Sequence, residues 1–240
     1  MDKKLSYEST LEEIKYQASR LTELVMSKLI IENKIPEEIK APEPKFSLPN
    51  PGTHSPLTEE DFKSAADLLN CEVNCIKAVT QVEAPGSGFL PSGNPKILFE
   101  AHIFSKNTSR KYDKTDPDIS SQTWNKALYK GGEKEYLRLT KAMDLDIKAA
   151  LRSASWGRFQ IMGFNHVSTG YDTIEKFVLA MYESEKNHLM AFVNFLKHSK
   201  LDKPLREKRW AAFAKGYNGS GYAANKYDLK LQDAYTKLSK

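Results

Sequence analysis

Six of the chain's eleven prolines fall within one short stretch, "IPEEIKAPEPKFSLPNPGTHSP". A proline locks φ and removes an amide donor, so this density excludes helix and internal strand and reads as an extended tether. The 240 residues are thereby divided into an N-terminal segment (1–35), a linker (36–56) and a main domain (57–240). In the first of these, Leu11, Ile14, Ala18, Leu21 and Val25 recur at spacings of three and four, which predicts an amphipathic helix from about Tyr7 to Asn33. It carries no aromatic cluster and no repeat, so its stripe is expected to pack on the main domain or on another helix.

The main domain is long enough to bury a core without cross-links. Thr58 is placed to cap a helix with an acidic first turn, "LTEEDFKSAADLL", and "CEVNCIKAVTQVE" predicts a second, more apolar helix ending at Glu83. The segment "PSGNPKILFEAHIF" is rich in Gly and Pro and then branched and aromatic, and predicts a small β-hairpin. A polar loop follows through Asp118. Helices are then expected at 124–128, 133–154, 173–183, 186–199, 205–215 and 228–237. The fold class is mainly α with one small β insertion. Cys71 and Cys75 share a helix at a spacing unsuited to a disulfide and read as small core residues.

Other features bound the function. The N-terminus shows no apolar signal region, and no apolar run approaches a membrane span, so synthesis in the cytoplasm without membrane insertion is expected. Action outside the membrane would then require a separate release factor. The net charge of +5 favours polyanionic surfaces. Its lysines are spread along the chain without interleaved stacking aromatics, which argues against a nucleic-acid partner. Nothing in the sequence calls for a metal or cofactor.

The carboxylate at Glu83 is unusual for its place. It closes an apolar helix just before "APGSGF", where Pro85, Gly86 and Gly88 break the chain. A carboxyl among Val79, Val82 and Phe89 would lose hydration, which raises its pKa and suits it to donate a proton. The same residue also reads as an idle helix-end glutamate. Two further segments bear on the choice. "SASWGRFQIMGFNH" sets Gly157, Phe159 and Gln160 around a tight turn into a short apolar helix, and "AKGYNGSGYAANKY" sets Tyr217 and Asn218 before two glycines.

Taken in order, a helix-terminal Glu, then Ser-x-Gly-x-x-Gln-Ile-Met, then Tyr-Asn-Gly resembles the signature of the goose-type lysozyme and lytic transglycosylase superfamily. The longer stretches "VEAPGSGFLPSGNPKILFEAHIF", "DISSQTWNKALYKGGEKEYLRLTKAMDLD", "ALRSASWGRFQIMGFNH" and "YNGSGYAANKYDLKLQDAY" are similar to one of its families. That family is the N-acetylmuramidase domain common in phage endolysins of Gram-negative hosts, and the likeness runs from about Leu57 to the C-terminus.

The resemblance implies a lysozyme-like helical fold whose two lobes flank a cleft. It implies hydrolysis of the β-1,4 bond between N-acetylmuramic acid and N-acetylglucosamine in peptidoglycan, with Glu83 as the acid. Related enzymes often carry Ser after this Glu, where this chain has Ala84. Glu100 is taken as the second catalytic carboxylate, on the hairpin beside the cleft with His102 on the same face, although it also reads as a structural partner. The loop residues Asp113, Asp116 and Asp118 are able to orient a water as well, Asp118 being the next candidate, and a single Glu also suffices in goose-type enzymes. Gln160, Tyr217 and Asn218 correspond to substrate-binding positions. Phe159, Ile161 and Met162 read as core, and His102 and His166 as structural histidines. The alternatives are a lytic transglycosylase or an inactive wall-binding or phage structural protein. A monomer acting on glycan strands is expected, released to the wall by a holin. A chain starting near Ser55 is expected to keep the activity.

Overall fold

The computed structural model describes residues 46–240, together with Ala18, Leu21, Thr22, Leu24, Val25 and Lys28, which are helical. Leu11, Ile14 and the linker residues 36–45 lie outside the described residues. The chain separates into two units, 1–45 and Phe46–Lys240, and the second is described from here on.

It opens with α1 (Glu59–Leu69) and α2 (Val73–Glu83). The expected cap is a full capping box: Thr58 Oγ1 accepts from Asp61 N–H at 3.2 Å, and Asp61 Oδ2 accepts from Thr58 N–H at 3.0 Å. Cys75, Ile76 and Val79 bury the inner face of α2, which ends at Glu83 as the sequence predicts. Both cysteines are free, Cys75 buried and Cys71 partly so. Burial pushes their thiols up to about 11 for Cys75 and about 12 for Cys71, which leaves both protonated and inert at neutral pH.

The segment predicted to form a hairpin makes only an isolated antiparallel bridge, Pro95 with Phe89, closed by Leu90 N–H donating to the Asn94 carbonyl at 2.8 Å. It supplies β1 (Ile97–Phe99) and then turns into α3 (Ala101–Asn107) with Glu100 at the cap position. The strand's partner is β2 (Ala154–Trp156), in the register Ile97 to Trp156, Leu98 to Ser155 and Phe99 to Ala154. The hairpin of this fold lies further on, where β2 returns as β3 (Ile161–Met162), giving a three-stranded antiparallel sheet in the order β1-β2-β3. A short apolar run carries no record of a strand partner about 60 residues away, so local pattern alone points to a nearer one.

Beyond a 3-10 turn at Lys126–Leu128, the single helix expected over 133–154 is two, α4 (Lys134–Leu145) and α5 (Ile147–Arg152), followed by β2. Asp146 makes the break. It ends α4 in extended conformation, and its carboxylate accepts from Ala149 N–H at 2.9 Å to cap α5. A 3-10 helix (Gly163–Thr169) leads to α6 (Ile174–Glu183) and α7 (Glu185–His198). The helix expected over 205–215 is also split, into α8 (Asp202–Arg206) and α9 (Trp210–Asn218), with Lys208 in left-handed conformation between them. The last helix, α10 (Tyr227–Leu238), packs along α2. Phe99, Phe104, Trp156, Phe177, Phe192 and Phe213 fill the core and are almost wholly buried.

The end of the proline-rich segment lies on this unit. Phe46, Leu48 and Leu57 pack against the core. His54 stacks on Phe89 at 3.5 Å, with its ring nitrogens 3.2 Å from the Glu183 carbonyl and 3.0 Å from that of Gly93. A chain beginning at Phe46 keeps all of these contacts. One beginning at Ser55 loses two half-buried apolar side chains and the His54 stack, about 2 kcal/mol or more. Its Tm should fall by about 4–8 °C, and equal melting of the two truncated chains would refute the contribution of this segment.

Candidate active site

Glu83, Gln160, Tyr217 and Asn218 line one open pocket of about 310 Å³. Three elements far apart in the chain deliver them: the end of α2, the β2–β3 turn and the end of α9. Phe159 and Ile161, both buried, form apolar lining together with Met162 and Phe195. Phe89 does not take part in this lining. It is sandwiched instead between the rings of His54 and His188, so the water-poor surroundings of Glu83 come from the turn and from α7 and α9.

Burial raises the pKa of Glu83 against the opposing influences of the Asn218 amide and the Lys230 charge. Asn218 Nδ2 donates to Glu83 Oε1 at 2.9 Å. An oxygen accepting that bond acts as the carbonyl oxygen of the acid, which leaves Oε2 to carry the proton. A half-buried carboxyl oriented by one amide in an open pocket is the arrangement that proton donation requires.

Tyr217 is held on all sides. Its ring stacks with Phe213 and meets Phe192 and Phe195 edge-on, and its hydroxyl donates to the Phe159 carbonyl at 3.3 Å. Burial and the nearby Glu83 charge push its pKa up, so it stays a neutral donor. Gln160 sits in left-handed conformation at φ 48°. Its Nε2 donates to the Gly157 and Lys96 carbonyls at 2.8 and 3.2 Å, and its Oε1 accepts from Ser155 at 2.9 Å. Both amide hydrogens are committed to holding the turn, so a ligand can meet only the remaining acceptor site on Oε1.

A family model described as N-acetylmuramidase matches residues 72–239. The chain belongs to the N-acetylmuramidase family. The crystal structure of the Burkholderia AP3 phage endolysin is similar to it, with 40% sequence identity and a TM-score of 0.72 over 76% of this chain and 70% of that one. No curated protein matches the chain. The fold is that of a lysozyme-like endolysin, mainly helical with a small antiparallel sheet, as the sequence predicts.

In this N-acetylmuramidase the remaining carboxylates singled out from sequence stand outside the Glu83 pocket's lining. Glu100 Oε2 accepts from Tyr129 Oη at 2.7 Å and lies 3.3 Å from His102 Nδ1. Tyr129 Oη in turn accepts from the indole of the exposed Trp124 at 2.7 Å. Because Glu100 precedes a helix, strand alternation does not decide its direction. Asp113 accepts from Ser120, while Asp116 and Asp118 pair with Lys141. His166 is buried, with Nδ1 3.0 Å from the Gly163 carbonyl.

Sequence reasoning missed two buried carboxylates that shape this region. Glu135 accepts from the backbone of Phe99, Lys130 and Gly131 and pairs with Arg138 at 2.9 Å. Burial alone would raise its pKa, but those donors and the arginine bring it below the usual range. Arg138 also donates to the Phe99 and Asp118 carbonyls, tying the end of β1 to the loop before α4. Glu185 holds the loop after Glu83 in a similar way. The one available signal was a charged residue on the apolar side of an amphipathic helix.

Proposed function

We propose that this N-acetylmuramidase hydrolyses the glycan strand of peptidoglycan as an endolysin, with Glu83 as the general acid. The observation that carries the assignment is the half-buried Glu83 carboxyl in an open pocket, with Asn218 holding one of its oxygens, surroundings that raise its pKa. The bond cleaved is the β-1,4 linkage between N-acetylmuramic acid and N-acetylglucosamine. Oε2 delivers its proton to the leaving glycosidic oxygen as positive charge develops at the muramic acid anomeric carbon. The resulting carboxylate, facing that charge, is stabilised by the Asn218 amide and the Lys230 charge. Water then bonds to that anomeric carbon through its oxygen and gives up one proton to solvent, and the Glu83 carboxylate regains a proton before the next turnover.

The Oε1 of Gln160 accepts from a sugar acetamide N–H or hydroxyl. Tyr217 and Asn218 shape the opposite side. In place of the catalytic role expected from the sequence, Glu100 is assigned a structural one, holding Tyr129 and His102 at the end of β1. The catalytic domain corresponds to the unit Phe46–Lys240. Among the described residues no helix is long and apolar enough to cross a membrane. Access to the wall is assigned to a holin of the infected cell.

Purified peptidoglycan digested with the protein should release muropeptides ending in reducing N-acetylmuramic acid, read by mass spectrometry. Products ending in 1,6-anhydromuramic acid would reassign the enzyme as a lytic transglycosylase, and no products at all would leave a binding protein.

A further inference from the structure

Glu185, His188, Phe192 and Phe195 follow one another along α7 at spacings of three, four and three, and so stand on one face of it. Each touches a different part of the Glu83 pocket or its support. Glu185 is 2% exposed; it accepts from Ser87 Oγ at 2.8 Å and Gly88 N–H at 2.6 Å, and it pairs with Arg158. Burial alone would raise its pKa, but the Gly88 and Ser87 donors and Arg158 bring it below the usual range, so it works as a carboxylate.

One turn on, His188 accepts from Arg158 N–H on Nδ1 at 3.1 Å, and its Nε2 lies 2.7 Å from the Met181 carbonyl. A carbonyl only accepts, so Nε2 carries the hydrogen and the ring is the neutral tautomer. Burial holds its pKa down to about 4, and Glu185, His54 and Arg158 are the charged or titratable groups acting on it. The ring is also a seat for both neighbouring loops. A Cβ at Gly88 would come within 2.4 Å of His188 Nδ1, and one at Gly157 within 2.9 Å of its ring carbons. Further along, Phe192 stacks on Phe159 at 4.3 Å and Phe195 lines the pocket.

We propose that Glu185, Arg158 and His188 form a positioning latch that sets the loop after Glu83 against the turn carrying Phe159 and Gln160, and that it acts on turnover through the placement of Glu83. The proposal rests on the reading of Glu83 as the acid. Both loops reach Glu185 directly, one through Ser87 and Gly88 and the other through the Arg158 guanidinium. Backbone bonds through Lys96, to the Gly88 carbonyl and from Gly157 N–H, also join the two loops. The latch adds a side-chain restraint on Ser87, the Gly88 amide and Arg158, which those bonds do not reach. The Phe192–Phe159 stack is separate from it and keeps the substrate-facing turn seated when the latch is cut.

The test compares the full chain with Glu185→Gln, which keeps the volume but removes the negative charge facing Arg158, and with Ser87→Ala, an exposed change that removes the bond to Glu185 and the one that Ser87 Oγ accepts from Phe89 N–H. Activity is read on soluble glycan-strand fragments well below the melting temperature. For Glu185→Gln, kcat should fall about tenfold to a hundredfold with KM changed less than about threefold. For Ser87→Ala the loss in kcat should be about threefold. In both, the alkaline limb of the kcat profile should move to lower pH as Glu83 regains water and its pKa falls. Phe104→Leu, a core change in α3, should lower the Tm yet leave kcat and that limb in place. Wild-type kcat and limb in both latch variants, or the same limb shift in Phe104→Leu, would overturn the latch. Activity in Glu83→Gln would instead overturn the reading of the acid beneath it. If Glu185→Gln does not fold, Ser87→Ala decides the outcome alone.

Discussion

Glu83→Gln should abolish peptidoglycan digestion while leaving the protein folded and at least as stable. Glutamine keeps the shape of the side chain, and its Oε1 still accepts from Asn218. It has no proton to deliver to the glycosidic oxygen, and general acid catalysis is worth about two to four orders of magnitude. The expected residual rate is therefore about 1% of wild type or less. The stability follows from the sign of the shift. Burial raises the folded pKa of Glu83, so above the ordinary carboxylate range the folded state binds more protons than the unfolded one. Its contribution is most favourable in acid and is lost as pH rises through the folded pKa. At neutral pH the neutral amide removes that penalty, and the Tm should stay level or rise. The same shift places the alkaline limb of the wild-type activity profile above the ordinary glutamate pKa, because only the protonated acid is competent. A digestion rate above about a tenth of wild type in a folded Glu83→Gln protein would remove Glu83 from the role.

The largest loss of stability is expected at Glu135→Leu. Glu135 is fully buried and binds three backbone amides from two segments besides Arg138. Leucine fills similar space but strands those amides and leaves a guanidinium that is itself only 5% exposed without its carboxylate. Breaking a buried pair from one side costs about 3–5 kcal/mol. For a domain of this size that lowers the Tm by about 10 °C or more. Arg138→Met added to Glu135→Leu should recover part of the loss, since the unpaired charge is then removed as well. Thermal unfolding of the single and double variants reads both effects. A single-variant loss below about 1 kcal/mol would show that the pair is hydrated or replaceable.

Much of the fold was legible because it depends on local patterning. The cap at Thr58, the end of α2 at Glu83 and the two helices at 173–199 follow from apolar spacing and capping chemistry, which act over a few residues. Where a side chain competed with the backbone, as Asp146 does between α4 and α5, periodicity alone ran through the break. The turn at Ser155–Gln160 was legible as a motif, but the use of its amide was not. Gln160 spends both of its hydrogens on carbonyls of the protein, one of them on Lys96 just before β1.

The sequence by itself singled out the candidates for the chemistry: a glutamate at the end of an apolar helix, a glycine turn ending in glutamine, and a Tyr-Asn pair before glycine. It also determined the helical character of the chain, since helix periodicity is written within each segment. Only the tertiary structure decided that Glu83 shares a pocket with Gln160, Tyr217 and Asn218 while Glu100 does not line it. It likewise decided that β1 pairs with β2, and that Glu135 and Glu185 are buried braces rather than surface charges. The physical reason is range. Helix formation and capping are settled among neighbours, whereas strand pairing, desolvation and the cost of a buried charge depend on residues brought together from distant parts of the chain.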